Sequence, residues 1–259
     1  MDLLTFSKEC HDALLGSDDQ SLRARTYLES RGLSNETIEG NIIGFCSKSQ
    51  SLPTDSDNST SRNINETLRG KIVVPIFSEF GGVVGVACRN PNPAEKGWWN
   101  NKFKKERHIF LFDKARRNIF DGNKAYVFEG YFDAIVLHQF GLKSATCVMG
   151  TNIGYRRIGL YARYCDRICL CFDNDANDAG LMGQLKTVAD LNTLGFGQIF
   201  KIDLPQGVDP DEFVIKYGLK EFLSREVEMP LWEIKEAGKR YLELREYRRS
   251  LGKFETRRN

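Results

Sequence analysis

Residues 124–217 alternate between short apolar runs and longer segments with helical periodicity. Four runs have the length and composition of buried strands: 124–128, 144–148, 167–172 and 198–204. Four segments with helical spacing follow them: 131–140, 155–164, 178–194 and 211–217. Strands that alternate with helices predict βαβ units and a parallel sheet.

Acidic residues gather where three of these strands end. They form three pairs: Glu129 with Asp133, Asp173 with Asp175, and Asp209 with Asp211. Because the carboxyl ends of parallel strands meet at one edge of a sheet, we expect these carboxylates to converge. Gathered carboxylates repel each other unless a cation lies among them, and oxygen ligands suit Mg²⁺ or Mn²⁺. Such metals support phosphoryl chemistry.

The alternative interpretation is that these acids are helix N-caps. Asp173 to Asp178 precede a predicted helix, and Asp211 can cap another. One acidic cap per helix would need no further explanation. Three clusters, two of them with the spacing Asp-x-Asp, favour metal binding.

Composition indicates a globular protein with a polyanionic partner. The 259 residues are 28% charged and 41% hydrophobic, with a net charge of +2. Lys and Arg concentrate in 96–117 and 235–258, although each run alone could be a solvated face. The seven cysteines include no Cys-x-x-Cys pair, so we expect no zinc site. We find neither a signal peptide nor a membrane-length apolar stretch, and we expect a cytoplasmic location.

The N-terminal half has a different pattern. We expect a helix capped by Asp18 or Asp19, a short one capped by Ser34, and a mobile loop over 47–65. Residues 71–77 and 83–88 predict a β-hairpin, followed by a polar loop at 90–105. That loop contains Trp98 and Trp99, which we expect to be exposed or half-exposed. From Leu231 the chain predicts an amphipathic helix with a basic face. No P-loop motif is present.

Four motifs in order resemble the TOPRIM domain, and more narrowly that of DnaG-type primases. They are Val-Phe-Glu-Gly-Tyr-Phe-Asp-Ala at 127–134, Val-Met-Gly-Thr at 148–151, Cys-Phe-Asp-Asn-Asp-Ala-Asn-Asp-Ala-Gly at 171–180, and Gly-Val-Asp-Pro-Asp-Glu-Phe at 207–213. The segments 27–45 and 69–89 are similar to the opening of the primase catalytic core and to its basic hairpin. The TOPRIM motifs alone would also fit topoisomerases and small nucleases. The primase-like N-terminal half distinguishes this chain from both classes.

The resemblance implies roles for individual residues. Glu129 matches the acid that the family keeps, Asp173 and Asp175 match its Asp-x-Asp metal ligands, and Asp133, Asp209 and Asp211 match further acidic positions. The resemblance therefore implies that two or more Mg²⁺ or Mn²⁺ ions are bound. Six basic residues match regions that hold nucleotide and nucleic-acid phosphates: Arg69, Lys71, Arg89, Lys102, Lys104 and Lys114. The chain departs from the family at 102–104, where Lys-Phe-Lys stands in place of a Lys-Tyr pair.

The same resemblance implies a domain layout and a reaction. The fold would be α/β: an N-terminal α+β subdomain over 1–120, a TOPRIM-type parallel sheet flanked by helices over 121–218, and a basic helical tail over 219–259. The activity would be DNA-templated synthesis of short RNA primers from NTPs on single-stranded DNA. The zinc-binding domain that precedes this core in the family has no counterpart in these residues, and neither has a helicase domain. We therefore expect either an excised core or a separate zinc-binding template-recognition module, with a replicative helicase as partner. We further expect a phage or mobile-element setting, with the bacterial or host cytoplasm as the location.

Two other functions fit the same residues. A TOPRIM nuclease would use the metals to hydrolyse a phosphodiester with water and would need no nucleoside triphosphate. A non-catalytic module would bind single-stranded DNA or a replisome partner. The intact acidic clusters argue against the second, since repelling carboxylates destabilise a fold that binds no metal.

Overall fold

The computed structural model describes residues 2–47, 52, 66–92, 94, 95, 97–172 and 178–255, with the backbone alone for 178–180 and 247–255. The chain divides into two compact units, Met1–Asp113 and Lys114–Asn259. Each unit has its own sheet, of four and five strands.

Three capped helices open the first unit: α1 (Leu3–Leu14), α2 (Asp19–Ser30) and α3 (Asn35–Gly40). The side chain of Asp18 accepts hydrogen bonds from Gln20 N and Ser21 N, and that of Ser34 accepts one from Thr37 N. These bonds satisfy backbone donors that have no partner within the helix. Both predicted caps are confirmed.

The first sheet is antiparallel, in the order β1-β2-β3-β4. Its strands are β1 (Gly44–Cys46), β2 (Lys71–Phe77), β3 (Val83–Arg89) and β4 (Trp98–Asn100). The predicted hairpin is confirmed as β2 and β3. The prediction of a loop throughout 90–105 is wrong, because 98–100 pairs with β3 and extends the sheet. Trp98 and Trp99 are half-exposed, as expected.

Helix α1 packs on this sheet and supplies its core. Phe6 and Cys10 lie in a buried cluster with residues of β1, β2 and β3. The approach is closest at Gly44, where an added Cβ would lie 2.5 Å from the carbonyl carbon of Cys10 and 2.6 Å from the backbone nitrogen of His11. The helix backbone therefore rests directly on β1, which is a contact that only glycine allows.

The second sheet has the order β6-β5-β7-β8-β9. Its strands are β5 (Lys124–Phe128), β6 (Ala145–Cys147), β7 (Arg167–Cys171), β8 (Gln198–Ile202) and β9 (Glu226–Glu228). β6, β5, β7 and β8 are mutually parallel, which confirms the predicted parallel sheet. β9 pairs antiparallel with β8 and was not predicted.

Among the described residues, six helices accompany this sheet. They are α4 (Phe112–Gly122), which begins at the unit boundary, α5 (Tyr131–Gln139), α6 (Tyr155–Tyr161), α7 (Asp178–Thr193), α8 (Pro210–Ser224) and α9 (Leu231–Glu255). α8 is kinked at Gly218, whose φ is 84°, so its first segment ends where the sequence predicts. α9 packs on α7, and Lys201 pairs with Glu233 of α9 at 2.5 Å.

All seven cysteines are free and buried, so they pack as small apolar side chains.

Most of the loop predicted at 47–65 lies outside the described residues. Within the described part of the chain, no helix combines the length and the apolar character that a membrane crossing requires.

His138, in the last turn of α5, gives the second unit a predicted pH dependence. Its Nε2 is buried and has no hydrogen-bond partner among the described residues. Burial, followed by the charges of Lys143 and Lys114, lowers the pKa of His138 from 6.5 to about 4. In that interval the folded state holds fewer protons on His138 than the unfolded state, so acid favours unfolding.

We therefore expect the free energy of unfolding to fall as the pH decreases from 6.5 toward about 4. A His138→Gln variant should lose less stability over the same interval, because glutamine does not titrate. Urea unfolding of both proteins at about pH 7, 6 and 5 measures the difference. Equal losses in the two proteins would contradict the prediction.

Candidate functional site

Glu129 lies at the carboxyl end of β5, the second strand of the parallel sheet. Its neighbours β6 and β7 run in the same direction, with Phe128 opposite Cys147 on one side and Cys171 on the other. The Oε1 atom of Glu129 is buried. Since three parallel strands end here, the edge gathers whatever side chains follow them.

Asp133 and Asp211 come together although they are 78 residues apart in sequence. The backbone nitrogen of Asp211, in the first turn of α8, donates to Oδ1 of Asp133, in the first turn of α5, at 3.3 Å. Both residues are buried, at 8% and 1% exposure. A Cβ at Gly130 would collide with the Asp133 carboxylate, which folds over the start of α5.

Asp209 occupies the N-cap position of α8, and Pro210 is the first helical residue. The alternative interpretation assigned capping to Asp211, and the structure corrects this. Proline has no N–H to donate and favours the first position, so the helix begins one residue earlier. Asp211 is thereby placed in the buried first turn, beside Asp133.

Asp173 and Asp175 lie outside the described residues, in the five-residue connection between Phe172 and α7. Among the residues that the structure describes, no three His, Cys, Asp or Glu side chains form a group that could hold a metal ion. The metal site predicted from these two aspartates therefore remains a prediction.

The chemistry of the donor set fits a hard divalent cation. Every candidate ligand is a carboxylate, and one oxygen of Glu129 is shielded from solvent. A buried carboxylate is costly unless a cation or hydrogen bonds compensate it. Oxygen donors without sulfur or imidazole favour Mg²⁺ or Mn²⁺ over zinc.

The predicted basic residues divide between the two units. Arg69, Lys71, Arg89, Lys102 and Lys104 belong to the first unit, and Lys114 belongs to the second. Arg69, Lys102 and Lys104 are exposed, and the other three are partly buried. Arg89 is held in place because its Nε donates to Tyr27 Oη at 2.6 Å and its guanidinium lies 5.5 Å from the Trp98 ring centroid. This arrangement presents a fixed cation and a half-exposed indole.

Sequence reasoning missed Cys147, which joins two parts of the site. Its Sγ donates to the backbone oxygen of Glu129 at 3.0 Å and accepts from Met149 N at 3.1 Å. Met149 has a φ of 59°, so the chain bends sharply after β6. A cysteine in an apolar run gives no signal for this link.

Residues 126–214 match the family described as Toprim-like. These residues run from β5 into α8 and contain every acidic cluster. The chain is also 30% identical over 229 residues to the DNA primase of Thermotoga maritima, an alignment that covers 80% of this chain and 40% of that primase. It thus spans about two fifths of the length of this relative.

Solved structures show the same architecture. The chain is similar to the E. coli primase catalytic core, with a TM-score of 0.68, 25% identity, and coverage of 85% of this chain and 77% of that one. It is equally similar to a DnaG primase catalytic domain bound to single-stranded DNA, with a TM-score of 0.69, 25% identity and the same coverage. Both units contribute, since the matched 85% of the chain is longer than the second unit alone.

Proposed function

Since this chain belongs to the DnaG-type primases, with whose catalytic core it shares sequence and fold, we propose that it synthesises short RNA primers on single-stranded DNA. The observation that carries the proposal is Glu129 at the end of β5, within a Toprim-like segment, with a buried carboxylate oxygen. A similar catalytic domain has been solved bound to single-stranded DNA.

We assign the metal ligands to Glu129, Asp173 and Asp175, in the proposed TOPRIM domain over 121–218. These residues would hold Mg²⁺ or Mn²⁺, which would supply positive charge at the α-phosphate of the incoming NTP and would favour ionisation of the attacking 3′-hydroxyl. We propose two or more ions, because many phosphoryl transfer sites use two metal ions to stabilise both the attacking and the leaving oxygen. Glu129 would hold its carboxylate ligand in a fixed orientation, because it lies at the end of a rigid strand.

Asp133, Asp209 and Asp211 have a supporting role in this proposal. Asp133 accepts the Asp211 backbone N–H, which holds the first turns of α5 and α8 together. Both carboxylates add negative potential to the same unit as Glu129, and this potential favours cations. A direct ligand role for any of the three is the alternative within the same site.

The basic residues would bind phosphates. Arg69, Lys71, Arg89, Lys102, Lys104 and Lys114 can contact the triphosphate and the backbones of template and primer without reading bases. Arg89 supports this role best, because Tyr27 and Trp98 fix its guanidinium. Trp98 would stack on a template base.

A zinc-binding template-recognition module and a replicative helicase are the partners that we propose.

The test is incubation with single-stranded DNA, Mg²⁺ or Mn²⁺ and labelled NTPs, with an Asp173→Asn, Asp175→Asn double variant beside the wild type. We expect short labelled oligonucleotides from the wild type and a loss of at least about a thousandfold in the variant, since metal stabilisation is worth several kcal/mol. DNA that is shortened without added NTPs would overturn the proposal in favour of a nuclease.

A further inference from the structure

The bend between β6 and α6, residues 148–154, is fastened to β5 at its first end. Val148 N donates to the Phe128 backbone oxygen at 3.0 Å, and the Cys147 thiol bridges Glu129 O and Met149 N. The backbone at Glu129 and the start of the bend therefore form one hydrogen-bonded assembly. A displacement of the bend would be transmitted to Glu129.

The other end of the bend rests on α7. A Cβ added at Gly183 would lie 2.6 Å from the Cβ of Thr151 and 2.8 Å from its carbonyl carbon, and Gly183 itself is buried. One helical turn later, the Thr187 hydroxyl accepts a buried hydrogen bond from Ile153 N at 3.2 Å. Gly183 and Thr187, spaced i and i+4, thus present one face of α7 to the bend.

This contact spans the strand that carries Glu129. In the order β6-β5-β7, the bend follows β6 and α7 follows β7, so a contact between them connects the two flanks of β5. α7 is also the helix that continues the chain after Asp173 and Asp175. The spacing between bend and helix therefore limits how the two flanks can be arranged around Glu129.

We propose that Gly183 and Thr187 are positioning residues for the metal ligand Glu129, and that they act through the bend at 148–154. The inference rests on the proposed function only in taking Glu129 as a ligand. Gly183 sets the separation, since any side chain there meets backbone atoms that cannot rotate away. Thr187 sets the register, because its hydroxyl fixes the Ile153 N–H.

The first test measures Mn²⁺ binding by the electron paramagnetic resonance signal of free Mn²⁺, which needs no turnover. Gly183→Ala should weaken Mn²⁺ affinity about tenfold, the usual size of an effect on groups that orient ligands. The control is Gly159→Ala in α6, an exposed glycine with nothing within 4 Å of an added Cβ, and it should leave the affinity unchanged. The Mg²⁺ concentration for half-maximal synthesis should rise more than that of Mn²⁺, because Mg²⁺ demands near-ideal octahedral geometry.

A second pair of variants covers the case in which Gly183→Ala does not fold. Thr187→Val keeps the shape and removes the hydroxyl, whereas Thr187→Ser keeps the hydroxyl. Thr187→Val should weaken Mn²⁺ binding, whereas Thr187→Ser should bind Mn²⁺ with the wild-type affinity. Unchanged Mn²⁺ affinity in Thr187→Val, and in Gly183→Ala where that variant folds, would overturn the inference even if the melting temperature falls. A wild type that binds no Mn²⁺ would also overturn it. A wild type that binds Mn²⁺ but makes no oligonucleotides would refute only the proposed function.

Discussion

Replacing Glu129 with glutamine should reduce primer synthesis by at least about a thousandfold, which corresponds to about 4 kcal/mol of transition-state stabilisation. Glutamine is nearly isosteric, so the fold should persist. It supplies one neutral oxygen where the wild type supplies a charged carboxylate, and one of the wild-type oxygens is buried at the end of β5. The loss should therefore appear in the rate at saturating substrate.

The matched control is Glu221→Gln. Glu221 is a half-exposed residue of α8 whose carboxylate lies 3.0 Å from Arg225. Exposed pairs of this kind contribute little to stability, so activity should remain within about twofold of wild type. Adding Mg²⁺ should raise the melting temperature of wild type and of Glu221→Gln more than that of Glu129→Gln, because only the first two retain the full ligand set. A Glu129→Gln protein within tenfold of the wild-type rate would refute the assignment.

Replacing Gly44 with alanine should destabilise the first unit by about 3 kcal/mol, the upper part of the usual range for overpacking. The added methyl would lie 2.5 Å from the carbonyl carbon of Cys10 and 2.6 Å from His11 N, which are backbone atoms of α1. A side chain could rotate away, but a helix backbone must move as a whole. That movement would open the cluster that contains Phe6 and Cys10.

Gly40→Ala is the control for this effect. Gly40 ends α3, lies in open space and has no positive φ, so alanine there should be neutral or should stabilise by about 0.5–1 kcal/mol. Urea unfolding followed by circular dichroism compares the two variants with wild type. Equal stabilities for Gly44→Ala and Gly40→Ala would show that α1 does not pack on β1 as described.

The parallel sheet could be predicted because each of its strands is a local apolar run followed by a helical period. Three strands were missed, β1, β4 and β9, and none of them is an apolar run followed by a helical period. β9 is Glu226-Val-Glu, and β4 is Trp98-Trp-Asn in a polar stretch. Each is three residues long and forms because a neighbouring strand offers an unpaired edge, which is a tertiary effect that single-sequence reasoning does not capture.

Some features of the candidate site could likewise be predicted from the sequence, and others could not. Glu129 could be identified from sequence, because an acid directly after a buried strand must lie at the carboxyl end of the sheet. The contact between Asp133 and the Asp211 backbone joins residues 78 apart, and the links made by Cys147 and Gly183 depend on distances between elements. Spacing along the chain contains no information on such distances.

Template dependence distinguishes primer synthesis from every other activity proposed for this protein. Two single-stranded DNA templates of equal length, both containing cytosine and one of them lacking thymine, are incubated separately with the protein, Mg²⁺ or Mn²⁺ and all four NTPs. We predict that labelled ATP enters oligonucleotides only on the template that contains thymine, whereas labelled GTP enters on both, and that Glu129→Gln makes neither product. ATP incorporation that ignores the template sequence, or synthesis that persists in Glu129→Gln, would contradict templated primer synthesis at this site.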